Sequence, residues 1–175
     1  MYTKTIKVLL DIPTTLEEYR EELEAFIDEK LNNFAQLDIE VTLVDELSKD
    51  TQIVISLVGN TLGKFDESYY ENYQNRAFGF LFYYFYDDEI KIDDFTDEVF
   101  ERVEFKSKVE RDSKLYSGFE EIDEIKRSLE VNLKEALFDI ENKINYSKIN
   151  ASVISRSKGN KFYDNDNNLR KVDNF

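Results

Sequence analysis

Carboxylates are the residues of this chain that could do chemistry, because the sequence contains no Cys, no His and no Trp. Their absence excludes thiolate nucleophiles, disulfides, most His-dependent hydrolase triads and most catalytic zinc sites. The most suggestive spacing is Glu89-Ile90-Lys91 with Asp66 upstream. It is typical of a metal-dependent nuclease, in which an acidic pair binds Mg²⁺ and the lysine stabilises the transition state.

Other features of the sequence argue against a metal or cofactor site. Triplets of that kind are frequent in a chain with 35% charged residues, and a strongly anionic exterior would repel DNA. Asp164, Asp166 and Asn168 begin like an EF-hand loop, but Leu169 and Phe175 replace its glycine and its final glutamate. We therefore predict no catalytic residue, no metal and no cofactor, with a carboxylate metal-dependent nuclease as an alternative.

The charge balance of the chain indicates its partners. Lys and Arg number 23 against 38 Asp and Glu, which gives a formal net charge of −15. Such a molecule repels nucleic acid and anionic lipid over a Debye length of roughly 8 Å, so its partners are expected to be cationic.

Lys7 and Asp11 break the first apolar run, and no stretch reaches the roughly 18 apolar residues of a membrane span. We expect a cytoplasmic protein of a bacterial host cell.

The negative charge is concentrated in clusters. On a helical wheel of residues 16–34, the outward face is almost purely carboxylate and contains like-charged i,i+4 pairs, each destabilising by about 0.2–0.5 kcal/mol. The charge density along that helix is about one per 2.6 Å, between the values of duplex and single-stranded DNA. A second cluster follows the aromatic run, and a third, at residues 120–124, suits the dipole of the last helix. The predicted partner-binding residues are Glu17, Glu18, Glu21, Glu22, Glu24, Asp28, Glu29, Asp87, Asp88, Glu89, Asp93, Asp94, Asp97 and Glu98.

This pattern predicts a binding protein. A dense anionic surface can occupy the phosphate-binding groove of a nuclease, restriction enzyme or CRISPR effector. In size, acidity and lack of Cys the chain resembles nucleic-acid-mimicking inhibitors of phages and mobile elements. We predict a non-enzymatic inhibitor of a basic nucleic-acid-handling protein, such as an anti-CRISPR or anti-restriction factor, with no direct nucleic-acid or membrane binding. Alternatives are an immunity protein or antitoxin against a basic toxin, and an acidic assembly protein. A homodimer is a further possibility.

Hydrophobic periodicity predicts the elements that would position these residues. Thr14 with Glu17, and Ser117 with Glu120, form capping boxes that begin helices. The predicted elements are a strand at 5–12, a helix at 14–34, an antiparallel pair of strands at 39–43 and 52–59, a helix at 66–86, a strand at 102–109 and a helix from 117 to 144. The predicted fold class is α+β, an antiparallel sheet with helices packed on one face, with ferredoxin-like β-α-β-β-α-β order followed by a long C-terminal helix.

The aromatic run at 78–86 fits two periodicities. Tyr70, Tyr73, Phe80 and Tyr84 fit a helix, whereas Phe78, Phe80, Phe82, Tyr84 and Tyr86 fit a strand, and we favour the helix. Most of these rings are expected in the core, and the alternative is that one edge, such as Tyr83 and Tyr86, is exposed beside the acidic residues and contacts a partner.

The predicted domain organisation is a single acidic domain at 1–150 and a polar, mildly basic tail at 151–175 that could be mobile. Val131 and Phe138 lie opposite the predicted core stripe of the last helix, which consists of Ile122, Ile125, Leu129, Leu133, Leu137, Ile140 and Ile144. They are expected to be covered by the tail or to belong to an interface.

Overall fold

The structure is a computed structural model that describes residues 4–34, 39–87, 92–112, 115–159, 162–163 and 169–170. The helices are α1 (Arg20–Phe34), α2 (Asp66–Gln74), α3 (Asp97–Glu110) and α4 (Ile122–Gly159), with short 3₁₀ helices at Thr14–Tyr19 and Ile92–Asp94. The strands of the main sheet are β1 (Lys4–Asp11), β2 (Ile39–Val44), β3 (Thr51–Val58), β4 (Phe80–Tyr86) and β5 (Tyr116–Phe119).

The main sheet is parallel throughout, in the order β2-β1-β3-β4-β5. The predicted fold class, with its antiparallel sheet and ferredoxin-like order, is therefore wrong. Helical segments connect β1 to β2, β3 to β4, and β4 to β5, as parallel neighbours require. The order 2-1-3-4-5 is that of flavodoxin-like doubly wound sheets.

The connection between β2 and β3 explains why an antiparallel hairpin was predicted there. It spans only residues 45–50, a length typical of a hairpin, but the two strands lie on opposite sides of β1 and do not pair. The short connection suffices because β2 ends beside Leu9, whereas β3 begins beside Lys7. An ion pair of 3.3 Å between Lys7 Nζ and Asp50 Oδ2 joins this connection to β1.

The aromatic run forms strand β4, so the predicted helix at 66–86 is wrong in its second half. Helix α2 ends at Gln74, and the turn that follows contains Arg76 with φ 59°, the left-handed region that ends helical structure. From Leu81 to Phe85 every side chain is buried, as expected for a central strand of a parallel sheet covered on both faces. The expectation that most of the rings fill the core is confirmed, and the alternative of an exposed edge does not hold for Tyr83, which is fully buried.

Helices cover both faces of the sheet, which corrects the predicted packing on one face. Tyr83 and Tyr84 are adjacent in β4 and therefore point to opposite faces. The Tyr83 hydroxyl donates a hydrogen bond to the Asp66 carbonyl oxygen of α2 at 2.5 Å. The Tyr84 hydroxyl oxygen accepts one from Asn132 Nδ2 of α4 at 3.0 Å. Phe105 of α3 packs against Tyr83, so α2 and α3 share one face.

The predicted strand at 102–109 is part of helix α3. Its buried residues recur three or four positions apart, which is the helical period. The helix begins with a cap that the sequence analysis missed, because the Thr96 hydroxyl oxygen accepts a hydrogen bond from the Val99 backbone N–H at 3.3 Å. The buried residues of α3 are Val99, Arg102, Phe105 and Val109.

The capping boxes predicted for the first and last helices are wrong. Residues 14–19 form a 3₁₀ helix preceded by Pro13, and no side chain caps it. Ser117 lies within β5, and α4 begins at Ile122. There the Glu124 carboxylate accepts hydrogen bonds from the backbone N–H groups of Glu120, at 2.6 Å, and Glu121, at 3.1 Å. The predicted core stripe of α4 is confirmed for Ile125, Leu129, Leu133, Leu137 and Ile140.

The chain forms two compact units. Met1–Leu137 contains the parallel sheet, and Phe138–Phe175 contains the rest of α4 and a two-stranded antiparallel pair, β6 (Phe162–Tyr163) and β7 (Leu169–Arg170). The predicted division at residue 150 stays a prediction.

The side chains of Val131 and Phe138 are 57% and 62% exposed. In the part of the chain that was described, no helix combines the length and apolar character needed to cross a bilayer.

Candidate functional site

The carboxyl edge of the sheet, where all five strands end, carries a group of exposed acidic side chains that the fold brings together. Because the strands are parallel, every helix that follows a strand begins at this edge. Acidic residues are favoured there by the positive ends of the helix dipoles. The exposed carboxylates of this region include Glu18, Asp93, Asp94, Asp97, Glu98, Glu120 and Glu121, and we call these seven the acidic edge.

Tyr19 marks the point where two of the acidic segments meet. The pKa of its phenol is raised by burial and by the nearby charges of Glu18, Tyr86 and Glu121. The 3₁₀ helix after β1 and the turn after β5 therefore lie close together. Sequence reasoning had assigned residues 120–124 to the helix dipole alone and missed this contact.

Asp87 connects the ends of β4 and β5. Its backbone N–H donates to the Phe119 carbonyl oxygen at 2.8 Å, and its carboxylate accepts a hydrogen bond from Lys106 Nζ at 3.1 Å. The predicted binding residue Asp87 is thus neutralised by an ion pair. Asp88 and Glu89 lie outside the described residues.

The carboxylate face predicted along residues 17–29 is not a single uncompensated surface. Residues 17–19 belong to the 3₁₀ helix, so the helical wheel applies only from Arg20 onward. Arg20 pairs with Glu17 at 2.5 Å and with Glu24 at 3.5 Å, and Lys126 of α4 pairs with Glu22. The predicted charge density is therefore reduced at these three carboxylates.

The remaining acidic residues of α1 are distributed along its length. Glu21 lies in the first turn, whereas Asp28 and Glu29 lie near the opposite end of the helix. At 1.5 Å per residue, Asp28 is about 15 Å along the helix from Glu18. Asp28 also accepts a hydrogen bond from Asn32 Nδ2 at 3.0 Å. The fold therefore separates Asp28 and Glu29 from the acidic edge.

Of the three residues proposed for the alternative metal site, only Asp66 is among the described residues. Glu89 and Lys91 lie outside them. The Asp66 side chain is almost fully buried. Its carboxylate accepts hydrogen bonds from Ser56 Oγ at 3.2 Å and from the Gly63 backbone N–H at 2.6 Å. Within the described residues no group of three potential metal ligands occurs. Asp66 fixes the connection from β3 to α2.

The burial of Asp66 raises the pKa of its carboxyl from 3.8 to about 6. The hydrogen bond from the Gly63 backbone N–H opposes this rise, whereas the negative charge of nearby Asp11 adds to it. A raised folded-state pKa means that the carboxyl stabilises the fold below pH 4, and that this contribution is lost as the pH rises through about 6. We expect the wild type to lose about 2 kcal/mol relative to Asp66→Asn between pH 4 and pH 7.

Urea unfolding of both proteins across this pH range measures that difference. Glu67→Gln is the matched control, because Glu67 is the exposed neighbour of Asp66. A difference between the wild type and Asp66→Asn that stays constant with pH would contradict the assignment.

Arg102 is a buried cation at the carboxyl edge. Its Nε donates to the Gly59 carbonyl oxygen at 2.7 Å, and its Nη2 donates to the Tyr86 carbonyl oxygen. The guanidinium also lies 5.6 Å from the centroid of the Phe85 ring. Burial lowers its pKa, and nearby Asp87 opposes that shift. Arg102 therefore joins α3 to the ends of β3 and β4, a role that its sequence context did not indicate.

The parallel topology thus assembles the acidic edge from the residues that follow β1, β4 and β5. Beneath it, buried Arg102 joins α3 to the ends of β3 and β4, and buried Asp66 fixes the connection from β3 to α2. Such a surface can bind cations, and within the described residues it contains no group of three potential metal ligands. No protein-family model, no curated protein and no solved structure matches this chain.

Proposed function

We propose that the protein is a non-enzymatic inhibitor whose acidic edge binds the nucleic-acid groove of a basic nucleic-acid-handling protein. A phage or mobile-element anti-defence protein, active in the bacterial cytoplasm, is the setting that fits this activity. The observation that carries the proposal is the concentration of unpaired carboxylates at one edge of a parallel sheet. No Lys or Arg of the described chain forms an ion pair with any of the acidic-edge residues.

The amount of charge on the acidic edge supports mimicry of a polyanion. Duplex DNA carries one phosphate per about 1.7 Å of helix axis. The acidic edge has seven exposed carboxylates in the segments that follow β1, β4 and β5. A groove lined with Lys and Arg gains counterion release from either polyanion.

Helix dipoles explain part of this charge without any partner. Asp97 and Glu98 lie in the first turn of α3, where an acidic side chain typically stabilises a helix by about 0.3–1 kcal/mol. Glu18, Glu120 and Glu121 lie just before the first turns of their α-helices, where the contribution of the dipole is smaller. Helix stability therefore explains the acidity of these three residues only in part.

Displacement of DNA from basic proteins tests the proposal. A fluorescent duplex bound to each of a panel of restriction nucleases and CRISPR effectors is titrated with the protein, and anisotropy is recorded at about 50 and 200 mM salt. We expect displacement from at least one member of the panel, with an affinity that falls steeply as salt rises. Failure to displace the duplex from any member at low salt would contradict the proposal. A basic toxin in the same panel separates the inhibitor from the immunity-protein alternative.

A second candidate function is favoured by the strand order. In doubly wound sheets, ligands bind outside the carboxyl ends of the strands where the order reverses, here between β1 and β3. Asp66 lies beside this point, and its buried carboxylate accepts hydrogen bonds from Ser56 Oγ and the Gly63 backbone N–H. A carboxylate metal-dependent nuclease would cleave supercoiled plasmid in the presence of Mg²⁺ or Mn²⁺, and Asp66→Asn would abolish cleavage. Intact plasmid with the wild type would exclude this candidate.

A further inference from the structure

Two aromatic rings at the start of α3 are exposed within the acidic edge. Phe95 and Phe100 are 50% and 49% exposed, and their ring centroids lie 6.2 Å apart in an edge-to-face arrangement. The rings of β4, in contrast, lie mainly in the core. Phe95 and Phe100 therefore contribute little to the core, and they form a small aromatic surface that faces solvent.

Carboxylates surround this aromatic pair in the sequence and on the helix. Asp93 and Asp94 precede Phe95, and Asp97 and Glu98 lie between the two rings; all four are exposed. Lys64 lies over the ring of Phe65, but no cation of the described residues lies over the ring of Phe95 or Phe100. The pair thus presents open ring faces beside unpaired carboxylates.

We propose that this surface binds arginine side chains of the partner, with a guanidinium stacked on Phe95 or Phe100 and paired with a neighbouring carboxylate. Arginine satisfies both features, because its planar guanidinium stacks on aromatic rings and forms bidentate hydrogen bonds with carboxylates. Lysine is a strongly hydrated point charge that matches the carboxylates but stacks less well. The inference rests on the proposed function, since it identifies which cation of the partner the acidic edge selects.

Charge complementarity also selects between occupants of this surface. A second copy of the chain would bring another strongly anionic edge against the first, and like charges across an interface oppose association. An anionic membrane is disfavoured for the same reason. A partner segment that contains arginine neutralises the carboxylates and covers the rings in one contact. Aromatic and arginine residues are the types most enriched at interface hot spots.

The test compares nona-arginine with nona-lysine as probes, using isothermal titration at low salt. We expect the wild type to bind nona-arginine about fivefold more tightly than nona-lysine. The variant Phe95→Ala/Phe100→Ala is expected to bind the two peptides equally. The matched control is Val131→Ala/Phe138→Ala, which removes two apolar side chains of α4 that are 57% and 62% exposed, and it should keep the preference for arginine.

The possible outcomes separate this inference from the proposed function. Equal binding of both peptides by the wild type, or an arginine preference that survives in Phe95→Ala/Phe100→Ala, would overturn the inference. Nona-lysine binding that is lost in Glu18→Gln/Asp94→Asn/Glu98→Gln/Glu121→Gln would still support the acidic edge in that case. Binding of neither peptide would contradict both. A dimer in size-exclusion chromatography that Phe95→Ala/Phe100→Ala abolishes would assign the surface to a second copy and overturn the arginine proposal.

Discussion

Alanine substitution at each consecutive position from 81 to 85 is expected to lower the free energy of unfolding by about 2–5 kcal/mol. All five side chains are buried, with exposures between 0% and 9%. In a parallel sheet covered on both faces, neighbouring residues of a central strand are buried on opposite sides. We therefore expect a similar loss of stability at each of these positions of β4. The substitutions are Leu81→Ala, Phe82→Ala, Tyr83→Ala, Tyr84→Ala and Phe85→Ala.

Chemical denaturation of the five variants measures this prediction, and Phe100→Ala is the control. Phe100 is 49% exposed, so removing its ring should change stability by less than about 0.5 kcal/mol. A sheet covered on one face would give alternating large and small losses. An alternating result would contradict the doubly covered sheet.

Arg102→Met is expected to destabilise the protein by about 3 kcal/mol. Met has a similar length and packs well, so the loss reports chiefly on the hydrogen bonds from the guanidinium to the Gly59 and Tyr86 carbonyl oxygens. Hydrogen bonds from charged donors are worth about 1.5–3 kcal/mol each, and relief of the buried charge offsets part of their sum.

Urea unfolding of Arg102→Met beside Arg127→Met tests this role, because Arg127 is an exposed arginine of α4. The control substitution should be nearly neutral. Equal stabilities of the two variants would contradict the role of Arg102 in joining the ends of β3 and β4 to α3.

The sequence predicts the strands of the first 60 residues because they are short apolar or alternating segments bounded by turn residues, and it predicts the core stripe of α4 because that stripe has the helical period. The aromatic run is different, since a strand that is buried on both faces is apolar at every position and has no period of its own. Leu81 and Tyr84 therefore fit a helix as well as a strand. The end of α2 is set by the turn at Arg76, whose left-handed φ of 59° cannot be read from an Arg side chain.

The parallel topology could not be predicted from the short connection at residues 45–50. Connections of that length usually join antiparallel neighbours, and the sequence contains no signal that β1 lies between β2 and β3. The error matters for function, because only parallel strands bring the acidic helix starts to one edge. The predicted clusters around Glu18 and Asp94 are both part of this edge, whereas Asp28 and Glu29 are carried away from it by the length of α1.

Two further features of the site were missed for physical reasons. Arg102 and Asp66 are charged residues that the fold buries, and a sequence pattern assigns such residues to the surface by default. Phe95 and Phe100 are apolar residues that the fold exposes. Their spacing of five does not match the buried positions of α3, and this mismatch was the available signal.

The central claim is that the acidic edge, and not negative charge in general, displaces nucleic acid from its partner. Two variants that each remove four negative charges test it in the duplex-displacement assay. The edge variant is Glu18→Gln/Asp94→Asn/Glu98→Gln/Glu121→Gln, and the control variant, whose residues lie away from the acidic edge, is Asp28→Asn/Glu29→Gln/Glu40→Gln/Glu110→Gln.

We expect the edge variant to require at least about tenfold more protein for half-displacement of the duplex. The control variant should remain within about twofold of the wild type. Equal losses in the two variants would show that only net charge matters and would contradict the acidic edge as the binding surface.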